Sequence, residues 1–353
     1  GDLYDACYKF FGRIPGGLAV STIVASAGFA AICGSSAASS ATMGVVCFPE
    51  MKRYKYDDGL STGCLAAGGT LGILIPPSVG FILYGIASGE SIGALFAAGI
   101  IPGILLTGCY IGAIVIQVVK NPAKGPKGEK FSAKEKMQAL IKVIPILILF
   151  VVVIGGIFIG FFTANEGGAI GAFGAMLFML YRKWGKWKEF FNAVFEAVKT
   201  TAMIFLIVTG AYAFGYFLTV TMLPTMLAST IAGLAVPKYA ILILILCVYV
   251  ALGCIMDSLS MIVLLVPIFL PIAQQLGFNT IWFGVLMVMV MEMGQITPPV
   301  GINAFIIAGI AKDVPLGKVF RGLVPFILAL VVAVVIVLLF PQLSLFIPNL
   351  IYG

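Results

Sequence analysis

Apolar residues run along this chain in stretches too long for a soluble core, and the positions that interrupt them are of two kinds. Lysines and arginines cluster between stretches. Prolines, glycines and small hydroxyl residues instead fall in the middle of one, as in Gly69-Thr70-Leu71-Gly72-Ile73-Leu74-Ile75-Pro76-Pro77-Ser78. Two adjacent prolines remove two backbone donors and clash with the preceding turn, so a helix must open there. In hydrocarbon each unpaired backbone group costs several kcal/mol, and such a break persists only where it lines a polar cavity. A broken span is therefore predicted from Leu60 through Pro76-Pro77 to about Ser88.

A shift of 222 positions places Pro76 and Pro77 on Pro298 and Pro299, and Gly72 on Gly294. The same register pairs Pro15 with Pro237, Ser36 with Ser258 and Pro49 with Pro271. One repeat explains all of these matches. Residues 18–48, if straight, would reach about 45 Å against a hydrocarbon core of about 30 Å. Their middle, Gly34 to Ser40, is small and hydroxyl-rich, which predicts a re-entrant helical hairpin. Positions 239–273 form its counterpart, with a tip at Met256-Asp257-Ser258-Leu259-Ser260, and the second broken span runs from about Ile281 to Ala311.

Surface helices are expected at Leu3 to Ile14 and at 222–236, and further spans at about 99–119, 143–162, 166–181, 199–219 and 323–340. Residues 120–142 read as a soluble loop with seven lysines. A second basic stretch, Arg182 to Lys188, separates two later spans. Residues 1–119 form the first inverted repeat, 120–221 the loop and linking scaffold helices, and 222–353 the second repeat. Counting crossings from a cytoplasmic first hairpin inverts the second half. It also puts twenty of the 21 lysines and arginines on the cytoplasmic side, leaving only Lys238 outside, as the positive-inside rule expects.

Composition agrees with this pattern. At 61% hydrophobic and 10% charged, the chain has too few charges to cover a soluble globule of 353 residues. The fold class is an all-α polytopic membrane protein, an inverted repeat with two re-entrant hairpins and two proline-broken transmembrane helices. The net charge of +7 reflects membrane orientation and is no sign of nucleic-acid binding. Seven cysteines without a CxxC pair are expected to be small hydrophobes. The chain has no histidine, which removes Ser-His catalysis, and one aspartate deep in a span cannot form an aspartyl dyad. No P-loop is present to couple ATP directly. The chain begins at Gly1 and reads as the body of a longer protein that carries further N-terminal helices.

Converging tips and breaks would place helix N-termini, which attract carboxylates, beside free carbonyls and hydroxyls that suit a small hard cation. Ser35, Ser36, Ser39 and Thr70 are the polar groups of the first half; Asp257, Ser258, Ser260, Thr297 and Asn303 serve the second. The serines also fit close helix packing. An intramembrane aspartate is a functional candidate by default, with an internal hydrogen bond to serine as the other reading of Asp257. Glu292 fits a proton site, an orienting group or a helix-orienting carboxylate. Glu166 fits a capping box opening a helix after Thr163. Met287, Met289, Met291 and Met293 fit packing or lipid contact.

Gly34-Ser35-Ser36-Ala37-Ala38, Gly72 to Ser78, Glu166-Gly167, Asp257 with Pro267 and Pro271, and Gly294-Gln295-Ile296-Thr297-Pro298-Pro299-Val300-Gly301-Ile302-Asn303 resemble the DctM family. These proteins are the large membrane subunits of tripartite ATP-independent periplasmic (TRAP) transporters. The resemblance implies an elevator-type, sodium-coupled importer of an organic acid such as a C4-dicarboxylate or sialic acid in the bacterial inner membrane. It also implies a small DctQ-like membrane subunit, a periplasmic DctP-like binding protein, and no cofactor beyond Na⁺ as coupling ion. Hairpins and broken spans would move against a scaffold of the surface helices and remaining spans. Sodium is expected at Ser35 and Ser36 with Gly69 and Gly72, and at Asp257 and Ser258 with Gly294 and Thr297. The substrate would lie between them, near Ser39, Pro77, Ser78, Ser260, Pro298 and Asn303. A stand-alone Na⁺- or H⁺-coupled dicarboxylate or citrate carrier is the alternative.

Overall fold

The computed structural model describes residues 2–182, 187–232 and 236–353, and the regular elements among them are all helical. The first half begins with α1 (Asp2–Phe11), which packs on α2 (Gly17–Cys33). A short turn joins α2 to α3 (Ser36–Arg53), making the first hairpin. Then come α4 (Asp58–Leu74) and α5 (Val79–Ser88), bent by 41° at the proline pair, and α6 (Ile92–Lys120). The linking helices are α7 (Ala133–Phe158), α8 (Ala164–Arg182) and α9 (Trp187–Thr221). The second half repeats the order with α10 (Leu223–Ala232), the hairpin α11 (Lys238–Gly253) and α12 (Ser258–Gln275), the interrupted pair α13 (Thr280–Gln295) and α14 (Ile302–Ile310), and α15 (Leu316–Leu339). A last helix, α16 (Gln342–Tyr352), packs on α6 and α13.

Local chemistry accounts for the boundaries. Gly34 ends α2 at a φ of 64°, a conformation that glycine adopts without a Cβ penalty. Ser35, Asp57, Ser78, Asp257 and Asn279 then cap α3, α4, α5, α12 and α13 by accepting first-turn amides. Thr163 and Glu166 form the expected capping box, with the Thr163 amide donating to Glu166 Oε2 at 2.8 Å and the Glu166 amide to Thr163 Oγ1 at 3.3 Å. Pro76-Pro77 and Pro298-Pro299 are both cis.

The core is built around α4 and α13, which are buried on every side from Gly59 to Leu74 and from Trp282 to Gln295. Helix α4 sits among α2, α3, α6 and α15; α13 sits among α11, α12, α6 and α15. Beyond each break the chain crosses to the other hairpin, so α5 packs on α12 and α14 on α3. Buried polar ties fasten α6 and α15 to this body. Thr70 meets the Tyr110 hydroxyl at 2.8 Å, and the Trp282 indole donates to the Val337 carbonyl at 2.9 Å. Five described helices are long and apolar enough to cross a membrane, six with the bent pair.

Some expectations need correction. The soluble loop ends at residue 132, because Ser132 and Glu135 form a capping box that starts α7 ten residues before the predicted span. Helix α6 likewise starts early, capped by Ser91. The closing helix α16 was not foreseen. The four methionines of α13 are buried within the protein, so they pack and do not meet lipid. Helices α6 and α15 lie against the broken helices. The basic stretch at 183–186 and the predicted end of a surface helix at 233–235 lie outside the described residues.

Among the described residues the closest approach of a glycine to another helix's backbone is at Gly322, where an added Cβ would lie 2.0 Å from the Gly59 carbonyl oxygen. Gly63 faces the same site, its Cβ position 2.4 Å from the Gly322 carbonyl oxygen. Gly322→Val is expected to separate α4 from α15 and cost at least the ~1–3 kcal/mol usual for overpacking. Thermal unfolding of the detergent-solubilised protein, followed by size-exclusion chromatography, should show a midpoint several degrees lower; an unchanged midpoint would refute this crossing.

Candidate functional site

The two prolines of each break dictate which carbonyls lack a helical donor. Gly72 and Ile73 would be served by residues 76 and 77, and Gly294 and Gln295 by residues 298 and 299, all of them prolines. Other groups take part of this load. The Ser78 hydroxyl donates to the Ile73 carbonyl and accepts the Phe81 amide at 3.2 Å. The Thr297 amide donates to the Gly294 carbonyl at 3.0 Å, and the Thr297 hydroxyl to the Met293 carbonyl at 2.6 Å.

Each break is also pressed against the tip of its own hairpin. A Cβ at Gly72 would stand 2.6 Å from both the Ser35 carbonyl oxygen and Ser39 Oγ; one at Gly69 would stand 1.8 Å from Ser40 Oγ and 3.0 Å from the Ser36 carbonyl oxygen. In the second half a Cβ at Gly294 would lie 2.5 Å from the Gly253 carbonyl carbon. Backbone bonds tie the same partners, since the Val79 amide donates to the Gly34 carbonyl at 3.4 Å and the Gly301 amide to the Cys254 carbonyl at 3.1 Å. Val79 and Gly301 are equivalent under the 222-residue shift.

Between the tips lies a carboxylate. Glu292, on the buried stretch of α13, accepts the Ser258 hydroxyl at 2.9 Å, and the Ser36 hydroxyl approaches the same group. Serines that are related by the repeat thus meet one acidic side chain. Its equivalent in the first half is Thr70, whose hydroxyl donates to the Ala67 carbonyl at 2.6 Å.

Other candidate residues are placed differently. Asp257 is exposed and caps α12, accepting from the Leu259 amide at 2.9 Å, the Ser260 amide at 3.2 Å and the Ser260 hydroxyl at 2.5 Å. This is the internal serine bond that stood beside its functional reading. Pro298 is exposed and Pro77 half-buried. Ser39 Oγ and both amide atoms of Asn303 are buried without a hydrogen-bond partner, which leaves them able to bind a ligand. Ser78 caps α5, as Ser260 bonds to Asp257.

Gln295 had no assigned role, yet its amide nitrogen donates to the Gly253 carbonyl at 3.2 Å and the Met256 carbonyl at 2.8 Å. Its place within the Gly294-to-Asn303 motif was the available signal. No group of three His, Cys, Asp or Glu side chains that could hold a metal occurs among the described residues. The oxygens gathered here are carbonyls, hydroxyls and one carboxylate, the donors of a hard cation.

A helical membrane body whose interior junction is lined by interrupted helices belongs to the class of solute transporters. Within that class, residues 1–343 match the family described as the DctM component of the tripartite ATP-independent periplasmic transporter, and the chain belongs to it. It is 36% identical over 349 residues to the C4-dicarboxylate TRAP transporter large permease protein DctM of Pseudomonas aeruginosa, a match covering 99% of this chain and 80% of that one. To the sialic acid TRAP transporter large permease protein SiaM of Vibrio cholerae it is 32% identical over 353 residues, covering 99% and 82%. The isethionate TRAP transporter permease protein DctMQ of Oleidesulfovibrio alaskensis is 36% identical over 332 residues, covering 93% of this chain and 52% of that protein. The protein is an inner-membrane subunit of a solute transporter.

Gln295→Ala should strip two tip carbonyls, that of buried Gly253 and that of half-buried Met256, of their donor, at roughly 1–3 kcal/mol for a buried group left unsatisfied. Hydrogen–deuterium exchange at residues 254–258 is expected to quicken about tenfold or more, with the first tip unaffected. Equal exchange in variant and wild type would show that Gln295 does not hold the tip.

Proposed function

We propose that this chain is the permease of a Na⁺-driven importer of an organic acid. The observation that carries the reading is the pair of tip–break junctions, in which each broken helix leaves its own hairpin and docks on the other. Four helix N-termini, those of α3, α5, α12 and α14, begin at these junctions, and such ends favour an anion. The names of the three relatives carry a C4-dicarboxylate, sialic acid and isethionate, all anions at neutral pH.

Na⁺ is assigned to Ser35 and Ser36 with the backbone at Gly69 and Gly72, and to Ser258 and Asp257 with the backbone at Gly294 and Thr297. The proline-stranded carbonyl of Gly72 and the close approach of Ser35 and Ser39 to that glycine support the first site. The acid is assigned to the space bounded by Ser39, Pro77, Ser260, Pro298 and Asn303, where the unpartnered Asn303 amide offers a donor. The repeats at 1–119 and 222–353 supply the hairpins and broken helices of an elevator. Helices α6 and α15 travel with that body, given their buried ties to it, while α7 to α9 and the surface helices serve as scaffold. A DctQ-like membrane subunit completes the scaffold, as the name of the DctMQ relative suggests, and a DctP-like periplasmic protein delivers the acid.

The membrane complex should melt several degrees higher in NaCl than in KCl or choline chloride at equal ionic strength, as a ligand that binds only the native fold requires. Ser36→Ala and Asp257→Asn are each expected to cut this shift by half or more. A wild-type complex equally stable in all three salts would sink the sodium assignment. Liposome uptake that runs at full rate without any periplasmic protein would favour the stand-alone carrier.

A further inference from the structure

Glu292 is 1% exposed, and it enters no ion pair formed by the described residues. Its Oε1 is bonded to Ser258, but its Oε2 is buried with no hydrogen-bond partner. Asp257, a second acidic side chain, lies near the same carboxyl group. A carboxylate without a paired cation costs several kcal/mol in such a setting even after relaxation. The structure therefore presents a buried carboxyl group, enclosed in protein and flanked by two hydroxyls, with one oxygen free to take a ligand.

We propose that the Glu292 carboxylate, with the hydroxyls of Ser36 and Ser258, binds a monovalent metal cation at the junction of the two hairpins. This site rests on the sodium reading above and adds to it a position that neither tip–break junction contains. One carboxylate among neutral oxygens fits a small hard ion of single charge, whereas Ca²⁺ sites gather several carboxylates and more oxygens. The repeat makes the site unique. At the equivalent position stands Thr70, an uncharged residue already bonded to Ala67 and Tyr110, so the pseudo-symmetric fold carries one such charge and takes one such ion. Because Ser36 and Ser258 also belong to the two junction sites, the ion at Glu292 touches both and ties one hairpin tip to the other.

The test is ²²Na⁺ binding to the purified membrane complex in nanodiscs, at neutral pH in a choline background. Glu292→Gln should bind one Na⁺ fewer per complex than wild type. Equal stoichiometry in the two proteins would overturn the proposal, since the carboxylate would then be neutralised by its own proton. A wild type that binds no Na⁺ would instead remove the sodium reading itself, so the two failures are distinct. Glu292→Asp keeps the charge but withdraws it by one methylene and serves where the glutamine variant does not assemble. One ion should then bind at least tenfold more weakly, and an isotherm superimposable on wild type would overturn the site.

Discussion

Every backbone polar group within a bilayer must find a partner inside the protein, and this fold is organised around the places where two proline pairs prevent it. A Pro-Pro sequence strands two carbonyls of the preceding helical turn. The remedy is local and the same in both halves: a hairpin tip is pushed against the break, close enough that only glycine fits at 72 and 294. Amides just beyond the breaks, at Val79 and Gly301, return hydrogen bonds to those tips. The interrupted helix and the short hairpin are thus one unit. Neither would be stable in hydrocarbon without the other.

Charge is arranged by the same economy. Basic and acidic side chains are gathered at the ends of helices, where Lys52 bridges Asp58 at 2.7 Å and Asp313 at 2.6 Å, and Lys318 reaches Asp58 at 2.6 Å. This network joins the base of the first hairpin to the start of α4, to the loop after α14 and to α15. The carboxyl of Asp313 is held below its ordinary value by the Lys52 ammonium, so its charge persists into mildly acidic solution. The interior, by contrast, keeps Glu292, which meets no lysine or arginine among the described residues. Exposed pairs of this kind contribute little each, and their value here lies in fixing which helix ends meet.

Much of this architecture was legible in the sequence because it depends on residues with few options. Proline pairs, a glycine or serine at a helix junction, and a fixed spacing of 222 residues survive in an apolar background that otherwise carries little information. The hairpins and breaks were located within a few residues for that reason. Boundaries set by side-chain caps were harder, and Ser132 with Glu135 began α7 inside what read as a loop. The site was legible only in part. Ser36 and Ser258 stood out as a related pair, but that both face Glu292 depends on how α13 is rotated between the hairpins, which no local pattern encodes. Asp257 was distinctive for its charge, but its sequence position did not show that its carboxylate also caps α12. Gln295 was hidden because an amide within a motif does not say which carbonyls it will reach.

The two halves also differ at their centre. A strict repeat would give both hairpins the same partners. Here the equivalents Thr70 and Glu292 break the symmetry at the centre. On one side a hydroxyl closes on its own helix and on Tyr110; on the other a carboxylate reaches across to the hairpins. At the tips the asymmetry continues, with Asp257 fixing the start of α12 by charge while Ser35 caps α3 through a longer contact, 3.4 Å to the Ala38 amide. A charge-assisted cap is stronger than a neutral one, so the second tip is held more firmly than the first.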